Sequence, residues 1–427
     1  MKNQESRQHQ NHSSSRRKLL TVMGLLPFAS GIWTNVAQGH EAKVTAGANA
    51  GELPAKNLFA IKGTYLNAAY THPMSIHSAE KIKEYLDFRQ VNGRATQDID
   101  SDRNIARSLF ARLINAEPDE ISWVPSTTVG ENLIVNDLGI PGTTAHVVTD
   151  AYHFDGSIYL YGELAKQGVN VTTILPKNNR IDVADYDVAI KPGTKLVALS
   201  LVSMINGFQH DLKAICDIAH SRGALVYADI IQAAGAVPID VKASGVDFCA
   251  CATYKWLMGD FGAGFLYVRG DRLHLLKRTQ YGYRQLKDME SHILPFDAPG
   301  NSPFDWVQGD KTRNYFEVGT LGNAAIPALN SSLTYLLKTG VDNIQRYRQP
   351  LIDKLQQELP KLGYRPMTPE NSTSPIVSFA FKDAAAKLQP KLDAAGINIQ
   401  VYQNRFRISP SIYNTVGDID QLIKVLS

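Results

Sequence analysis

Cysteine is nearly absent from this 427-residue chain, which holds only Cys216, Cys249 and Cys251. Three thiols cannot build a disulfide framework, even in an oxidising compartment. Cys249 and Cys251 stand two apart on one apolar run and share a strand face, where they read as small buried apolar groups. An excess of charge is missing too. The formal net charge is +3, and positions 1–42 carry five Lys/Arg and two Glu, so the rest of the chain is neutral. With no basic run in that remainder, nucleic acid and anionic membrane surfaces are excluded as partners. Nor is there a long hydrophobic run. The apolar stretch that ends at Trp33 holds about 15 residues, short of the ~20 that span a bilayer, so no stable membrane anchor is expected. Internal repeats are lacking, and no metal site is expected.

What is present begins with that same stretch. A polar, basic segment ends in Ser15-Arg16-Arg17-Lys18-Leu19-Leu20, the apolar run follows, and small residues stand around Ala37-Gln38-Gly39 and Ala42. This is the layout of an export signal, and the paired arginines match the twin-arginine type. Residues 1–42 are therefore expected to be a twin-arginine signal peptide. The expected partner is the twin-arginine export machinery and the expected location the periplasm. A protein that loads a cofactor inside the cell has to leave already folded, which that route allows.

Apolar residues make up 44% and charged residues 20% of the chain, as in an ordinary globular protein. The roughly 385 residues after the leader exceed one usual core and imply two domains. Short runs rich in Val, Ile and Phe recur at Ile121–Pro125, His146–Asp150, Val169–Leu175, Lys195–Leu201, Ala224–Asp229, Asp247–Thr253 and Gly262–Arg269. Amphipathic helical stretches separate several of them, such as Asp211–Arg222 with Leu212, Ile215, Ile218 and Ala219. Near-continuous apolar strands alternating with helices predict an α/β protein whose seven-stranded sheet is mostly parallel and covered on both faces. Arg284–Lys311 is polar and rich in Pro and Gly, and reads as a loop region; Tyr281–Arg313 is expected to line the entrance to the site, with Tyr283, Trp306 and Arg313 as candidates. A long helix follows from Ala324 to about Lys338, and the remainder reads as a smaller α+β unit. The expected division is a segment 43–75 joining the small domain, a large domain 76–330 and a small domain 331–427.

Ligands of open α/β sheets lie at the carboxyl ends of the strands, so the polar residues there carry the chemistry. Lys255, in Thr253-Tyr254-Lys255-Trp256-Leu257-Met258-Gly259, and Asp229, at the end of Ala224–Asp229, are the central pair. A lysine can hold the aldehyde of pyridoxal phosphate, and an acid can keep the cofactor's ring nitrogen protonated so that it accepts electrons. A buried acid at a strand end needs a partner, and a pyridinium N–H is one. Pro125-Ser126-Thr127-Thr128-Val129-Gly130-Glu131 follows a strand and opens a helix, which makes either a phosphate cradle or a plain helix cap. Phe154, in Tyr152-His153-Phe154, offers a flat face to stack on a ring or is simply core.

Together these residues resemble the class V aminotransferase family, a branch of the fold type I pyridoxal phosphate enzymes. The resemblance runs from Tyr65-Leu66-Asn67-Ala68-Ala69 to Arg407-Ile408-Ser409-Pro410. Its core signature is Asn206-Gly207, Asp229-Ile230-Ile231-Gln232-Ala233, Tyr254-Lys255-Trp256-Leu257 and Gly262-Ala263-Gly264-Phe265, and Phe316-Glu317-Val318-Gly319-Thr320 matches a further motif. The resemblance implies that Lys255 bonds the cofactor's aldehyde and then moves protons. Asp229 pairs with the ring nitrogen, and Gln232 contacts the ring's phenolic oxygen. Thr127, Thr128, Thr253 and Tyr254 hold the phosphate, which Thr320 reaches from a neighbouring subunit, so the active unit is expected to be a homodimer. Phe154 stacks on the ring, with His153 as the competing assignment. Arg407 grips the substrate's α-carboxylate, a task that suits a guanidinium fork, and Asn206 is placed beside it as substrate-binding.

Several reactions share this scaffold. Desulfurases of the family need a nucleophilic cysteine in the C-terminal domain, and no cysteine follows Cys251. Phe154, Tyr159 and Tyr254-Lys255 look like the subgroup that cleaves kynurenine, whereas the chain as a whole looks closer to the isopenicillin-N-epimerase-like subgroup. With the leader, it is similar to exported enzymes that modify the glutamyl side chain of pyoverdine siderophores. That resemblance implies a peptide siderophore precursor as substrate and transamination, or oxidative decarboxylation to an amide, as the reaction. The alternatives are a kynureninase-like enzyme or carbon–sulfur lyase acting on a small amino acid, and an inactive binding protein on the same fold.

Overall fold

In a computed structural model of the chain, which describes residues 52–93 and 99–427, the apolar runs become one seven-stranded sheet. Its strands lie in the order Ile121–Val124, Gly264–Val268, Phe248–Ala252, Leu225–Asp229, Thr194–Ser200, His146–Asp150 and Asn170–Ile174. Only Gly264–Val268 runs against the others. The predicted strands all appear, with ends displaced by no more than two residues. The export signal expected at 1–42 lies outside the described residues, and no described helix is long and apolar enough to cross a membrane.

Both faces of the sheet are buried because neighbouring strand residues feed two different cores. Val148, Val197, Leu199, Val226, Ala228, Cys249 and Cys251 pack on one side, while Val147, Leu196, Ala198, Tyr227, Phe248 and Ala250 pack on the other. This two-residue period explains why the runs read as continuously apolar. Helix Leu212–Ser221, capped by the Asp211 carboxylate on the Ala214 N–H at 3.0 Å, covers the first side through Leu212, Ile215, Cys216 and Ala219. Helices Thr127–Asp137 and Asp155–Lys166 cover the second.

Beyond the sheet, Ala325–Thr339 packs on the first core, and Val341–Glu358, Ala384–Ala394 and Val416–Leu426 build a third cluster around Phe379, Phe406 and Ile408. There a four-stranded antiparallel sheet holds Arg365–Pro366, Val377–Ala380, Arg405–Ile408 and Gln400–Val401 in that order. Thr64–Tyr65 pairs in parallel with Ile397–Asn398, and Leu66 enters the third cluster. One expectation is corrected. The supposed loop region Arg284–Lys311 contains an antiparallel hairpin, Leu286–Ser291 with Phe304–Gln308. Met289, Trp306 and Val307 on it are more than half exposed, so it has no buried face to impose an apolar period.

Candidate functional site

All the strands parallel to Leu225–Asp229 end on one edge of the sheet. Asp150, Ser200 and Asp229 are the last residues of their strands, and Lys255 stands three residues past Ala252. Lys255 sits on a tight turn. The Met258 N–H bonds the Lys255 carbonyl at 2.8 Å and the Gly259 N–H bonds that of Thr253 at 2.9 Å. Met258 has φ of +56°, a region that residues with a side chain seldom take. A Cβ on Gly259 would stand 2.7 Å from the Thr253 Cβ, so only glycine lets the turn close.

Lys255 is 8% exposed. Burial lowers its pKa to about 8; the Asp229 carboxylate opposes that shift and the Arg407 guanidinium adds to it. A lysine that sheds its proton near pH 8 can attack an aldehyde. Asp229 is also buried, and burial pushes its carboxyl up to about 6, against the influence of His153, the Ile231 N–H and Lys255. Its Oδ1 accepts the Ile231 N–H at 2.8 Å, while its Oδ2 has the Ser200 hydroxyl at the long distance of 3.5 Å. Among the described residues Lys255 forms no ion pair, with Asp229 or any other carboxylate, yet each shifts the other.

Arg407, on strand Arg405–Ile408, is 2% exposed. Its Nη1 donates to the Met204 carbonyl at 2.9 Å, and its Nε has no acceptor. A buried donor left open beside the lysine is a place for an incoming carboxylate. The structure thus brings Asp229 and Arg407 each within electrostatic reach of Lys255.

The surrounding residues divide. Thr127 and Thr128 open helix Thr127–Asp137, where the Gly130 N–H bonds the Ser126 carbonyl and the Ser126 hydroxyl caps the Val129 N–H at 3.2 Å, so the N–H groups of Thr127 and Thr128 are the ones left to an anion. The Thr127 hydroxyl accepts the Ala252 N–H at 2.9 Å, which ties this helix start to the lysine's segment and leaves its own hydrogen free to donate. Gln232 donates to the Ala69 carbonyl at 2.9 Å and accepts the Trp256 ring N–H at 2.9 Å, which leaves one amide hydrogen. Tyr254 is half-buried and stacks on Phe261 with ring centroids 4.4 Å apart. Phe154 is half-buried and keeps part of its ring accessible.

Three of the expected residues have other partners within the chain. The Thr253 hydroxyl, expected on the phosphate, is spent on the Asp260 and Ala263 carbonyls at 2.6 and 3.2 Å, where it fastens the lysine turn. Both Nδ2 hydrogens of Asn206, expected on the substrate, go to the Asn179 and Met367 carbonyls at 3.1 Å, and its Oδ1 takes the Phe208 N–H at 3.0 Å. No donor remains for a ligand. His153 is fully buried between Ser200 and Glu131, so it offers no open face to a ring, whereas Phe154 is half-buried. Thr320 is exposed and shares a hydrogen bond of 2.9 Å with the Tyr283 hydroxyl.

This donor set fits pyridoxal phosphate. It offers an amine near neutrality for the aldehyde, an under-satisfied carboxylate for the ring nitrogen and an open helix start for the phosphate.

The comparisons with known proteins agree with that geometry. The family model Aminotransferase class-V matches residues 65–422. The uncharacterized aminotransferase YcbU of Bacillus subtilis is 27% identical, covering 80% of this chain and 88% of its own length. The cysteine desulfurase IscS of Shewanella oneidensis is 26% identical, over 85% of this chain and 91% of its own. Among solved structures, an apo cysteine desulfurase from Thermococcus onnurineus NA1 superposes with a TM-score of 0.74 at 23% identity, over 85% of this chain and 94% of that one. The cystine C-S lyase C-DES, solved with its product cysteine persulfide, gives 0.76 at 21% identity, over 86% and 97%. At those identities the two structures speak for the fold.

Proposed function

This chain belongs to the class V aminotransferase family and is a pyridoxal-phosphate-dependent enzyme; from that premise we propose that it is a periplasmic tailoring enzyme. In this reading it acts on the glutamyl amino acid moiety of a pyoverdine-type siderophore precursor, by transamination or by oxidative decarboxylation to an amide. The observation that carries the amino-acid part is the convergence of Lys255, Asp229 and a half-satisfied Arg407. The exported, siderophore part is supported by the Arg16-Arg17 leader. Export through the twin-arginine machinery would let the enzyme leave the cell with its cofactor in place.

When bound, pyridoxal phosphate supplies an aldehyde for the substrate amine and a protonated ring that draws electrons from the α-carbon. Arg407 orients the α-carboxylate through a charge-assisted contact. Lys255, as a neutral amine, would take the α-proton and return one. Asp229 keeps the positive charge on the ring nitrogen. Thr127 and Thr128 hold the phosphate at the helix start, and Phe154 covers one face of the ring. Thr320 and Tyr283, both exposed, support a homodimer in which Thr320 reaches the neighbouring phosphate.

A thiol mechanism of the desulfurase kind has no nucleophile in this chain. Cys216, Cys249 and Cys251 are all buried, and burial pushes each thiol pKa up. Carbon–sulfur or kynurenine-type cleavage, which needs no protein thiol, is the second reading, and Phe154, as the residue that would stack on the ring, favours it.

Two measurements test this. Deleting the gene should leave the siderophore side chain as unmodified glutamate in mass spectra of secreted products. An unchanged profile would remove the siderophore assignment and direct the search to small amino acids, kynurenine first. Arg407→Gln should lower kcat/KM for the carboxylate substrate by about 10–100-fold, the worth of a charge-assisted contact, with the cofactor still bound. Unaltered kcat/KM would exclude Arg407 from substrate binding.

A further inference from the structure

Directly beneath Asp229, between the sheet and helices Thr127–Asp137 and Asp155–Lys166, lies a fully buried polar cluster that the site described above does not use. At its far end is Glu131, 2% exposed. Its Oε1 accepts from the Tyr161 hydroxyl at 2.9 Å and from His153 Nε2 at 3.0 Å, and its Oε2 accepts the Ser157 hydroxyl at 2.5 Å. At the near end, His153 Nδ1 meets Ser200 Oγ at 2.9 Å, and the Ser200 hydroxyl points to Asp229 Oδ2 at 3.5 Å.

The single Ser200 hydrogen can lie toward His153 Nδ1 or toward Asp229 Oδ2; the carboxylates around the ring favour its cationic form, in which the Ser200 oxygen accepts from Nδ1 and its hydrogen turns to Asp229. Glu131 accepts from Tyr161 and Ser157 as a carboxylate does, so Nε2 of His153 must donate as well. An imidazole that donates from both nitrogens is an imidazolium. The other charged groups facing it are Asp150, on the strand that precedes it, and Asp229. Asp150 accepts separately from the Tyr186 hydroxyl at 2.5 Å and the Tyr152 N–H at 2.6 Å, with His210 Nε2 3.4 Å away, while Tyr227 lies against both Glu131 and Asp229. Glu131 and His153 therefore neutralise each other, and the charge of Asp229 is left for the cofactor.

We propose that Glu131, His153 and Ser200 form a buried relay that keeps Asp229 ionised and aimed at the cofactor's ring nitrogen, with His153 as a positioning residue. The proposal rests on the pyridoxal phosphate reading of the site. Burial alone would strip the charge from both His153 and Glu131. Instead Glu131, with Asp229 and Asp150 behind it, holds the His153 pKa above its ordinary value, and His153 with Ser157 and Tyr161 holds that of Glu131 below its own. Without the imidazolium, the two buried carboxylates Glu131 and Asp229 would face each other, and one of them would take up a proton.

The test is equilibrium binding of pyridoxal phosphate to the apoprotein between pH 5 and pH 8, in the parent, His153→Gln, Ser200→Ala, Asp229→Asn and the His153→Gln/Asp229→Asn double variant. In the parent, beyond the dependence on Lys255 that all the variants share, affinity should fall at low pH, where Asp229 gains a proton. His153→Gln should move that fall upward by about one pH unit and weaken binding roughly tenfold near pH 6, and Ser200→Ala should do so to a smaller extent. In the Asp229→Asn background, His153→Gln should have no further effect on affinity or its pH dependence. The same loss at every pH, or equal losses with and without Asp229, would mean a structural role and overturn the relay. If His153→Gln does not fold, the pH shift in Ser200→Ala decides alone. A parent that binds no pyridoxal phosphate would remove the underlying reading, an outcome distinct from a parent that binds it with no shift in the variants.

Discussion

Lys255→Ala should lower kcat by about 10⁴-fold or more and remove the visible absorption of the bound cofactor. Two roles are lost together, the covalent hold on the aldehyde and the proton transfer, and the second alone is worth about 10²–10⁴-fold. The parent should show a matching pH signature. Only the neutral amine attacks an aldehyde, and burial has brought the Lys255 pKa from 10.5 to about 8. The rate at which apoprotein captures pyridoxal phosphate should therefore climb about tenfold per pH unit below pH 8 and level off above it. An unburied lysine would keep climbing to pH 10 or beyond. A Lys255→Ala protein that retains turnover, or a capture rate flat from pH 6 to pH 9, would defeat the assignment.

The sheet is legible in the sequence because burial on both faces forces apolar residues at nearly every strand position. His146–Asp150 reads correctly to the residue and Leu225–Asp229 to within one. The exposed hairpin Leu286–Ser291 with Phe304–Gln308 is not legible, since Lys287, Asp288 and Glu290 stand where a buried strand would carry apolar residues. In the site, Lys255 and Asp229 stand out because each ends or follows an apolar run, where a charge is conspicuous. The fates of Thr253 and Asn206 do not. The carbonyl that takes one Asn206 hydrogen belongs to Met367, 161 residues away, and no local pattern announces that use. Glu131 is hidden for the same reason. Just past the first turn of a helix it reads as an ordinary helical acid, and only the fold reveals that His153, Ser157 and Tyr161 surround it.

Asp229→Asn should cost about 10²–10³-fold in kcat while pyridoxal phosphate remains covalently held by Lys255, because an amide cannot stabilise the positive ring nitrogen as a carboxylate does. The apoprotein should respond in the opposite direction. Burial holds the folded-state pKa of Asp229 at about 6, above the ordinary 3.8. Between those values the folded chain binds the proton more tightly than the unfolded chain, so stability falls as pH rises through that window. Above pH 6 the whole penalty of a buried, poorly paired carboxylate is present, on the order of 3 kcal/mol. The amide that replaces it carries no charge at any pH, so the Asp229→Asn apoprotein should be the more stable of the two at pH 7. Its advantage should shrink to nothing as the pH is lowered toward 4. Thermal unfolding of both apoproteins from pH 4 to pH 8 measures this directly. A parent as stable as the variant at pH 7 would mean that Asp229 is already fully paired within the protein. Its charge would then not be held in reserve for a cation from outside the chain, and the pyridinium role would have to be given up.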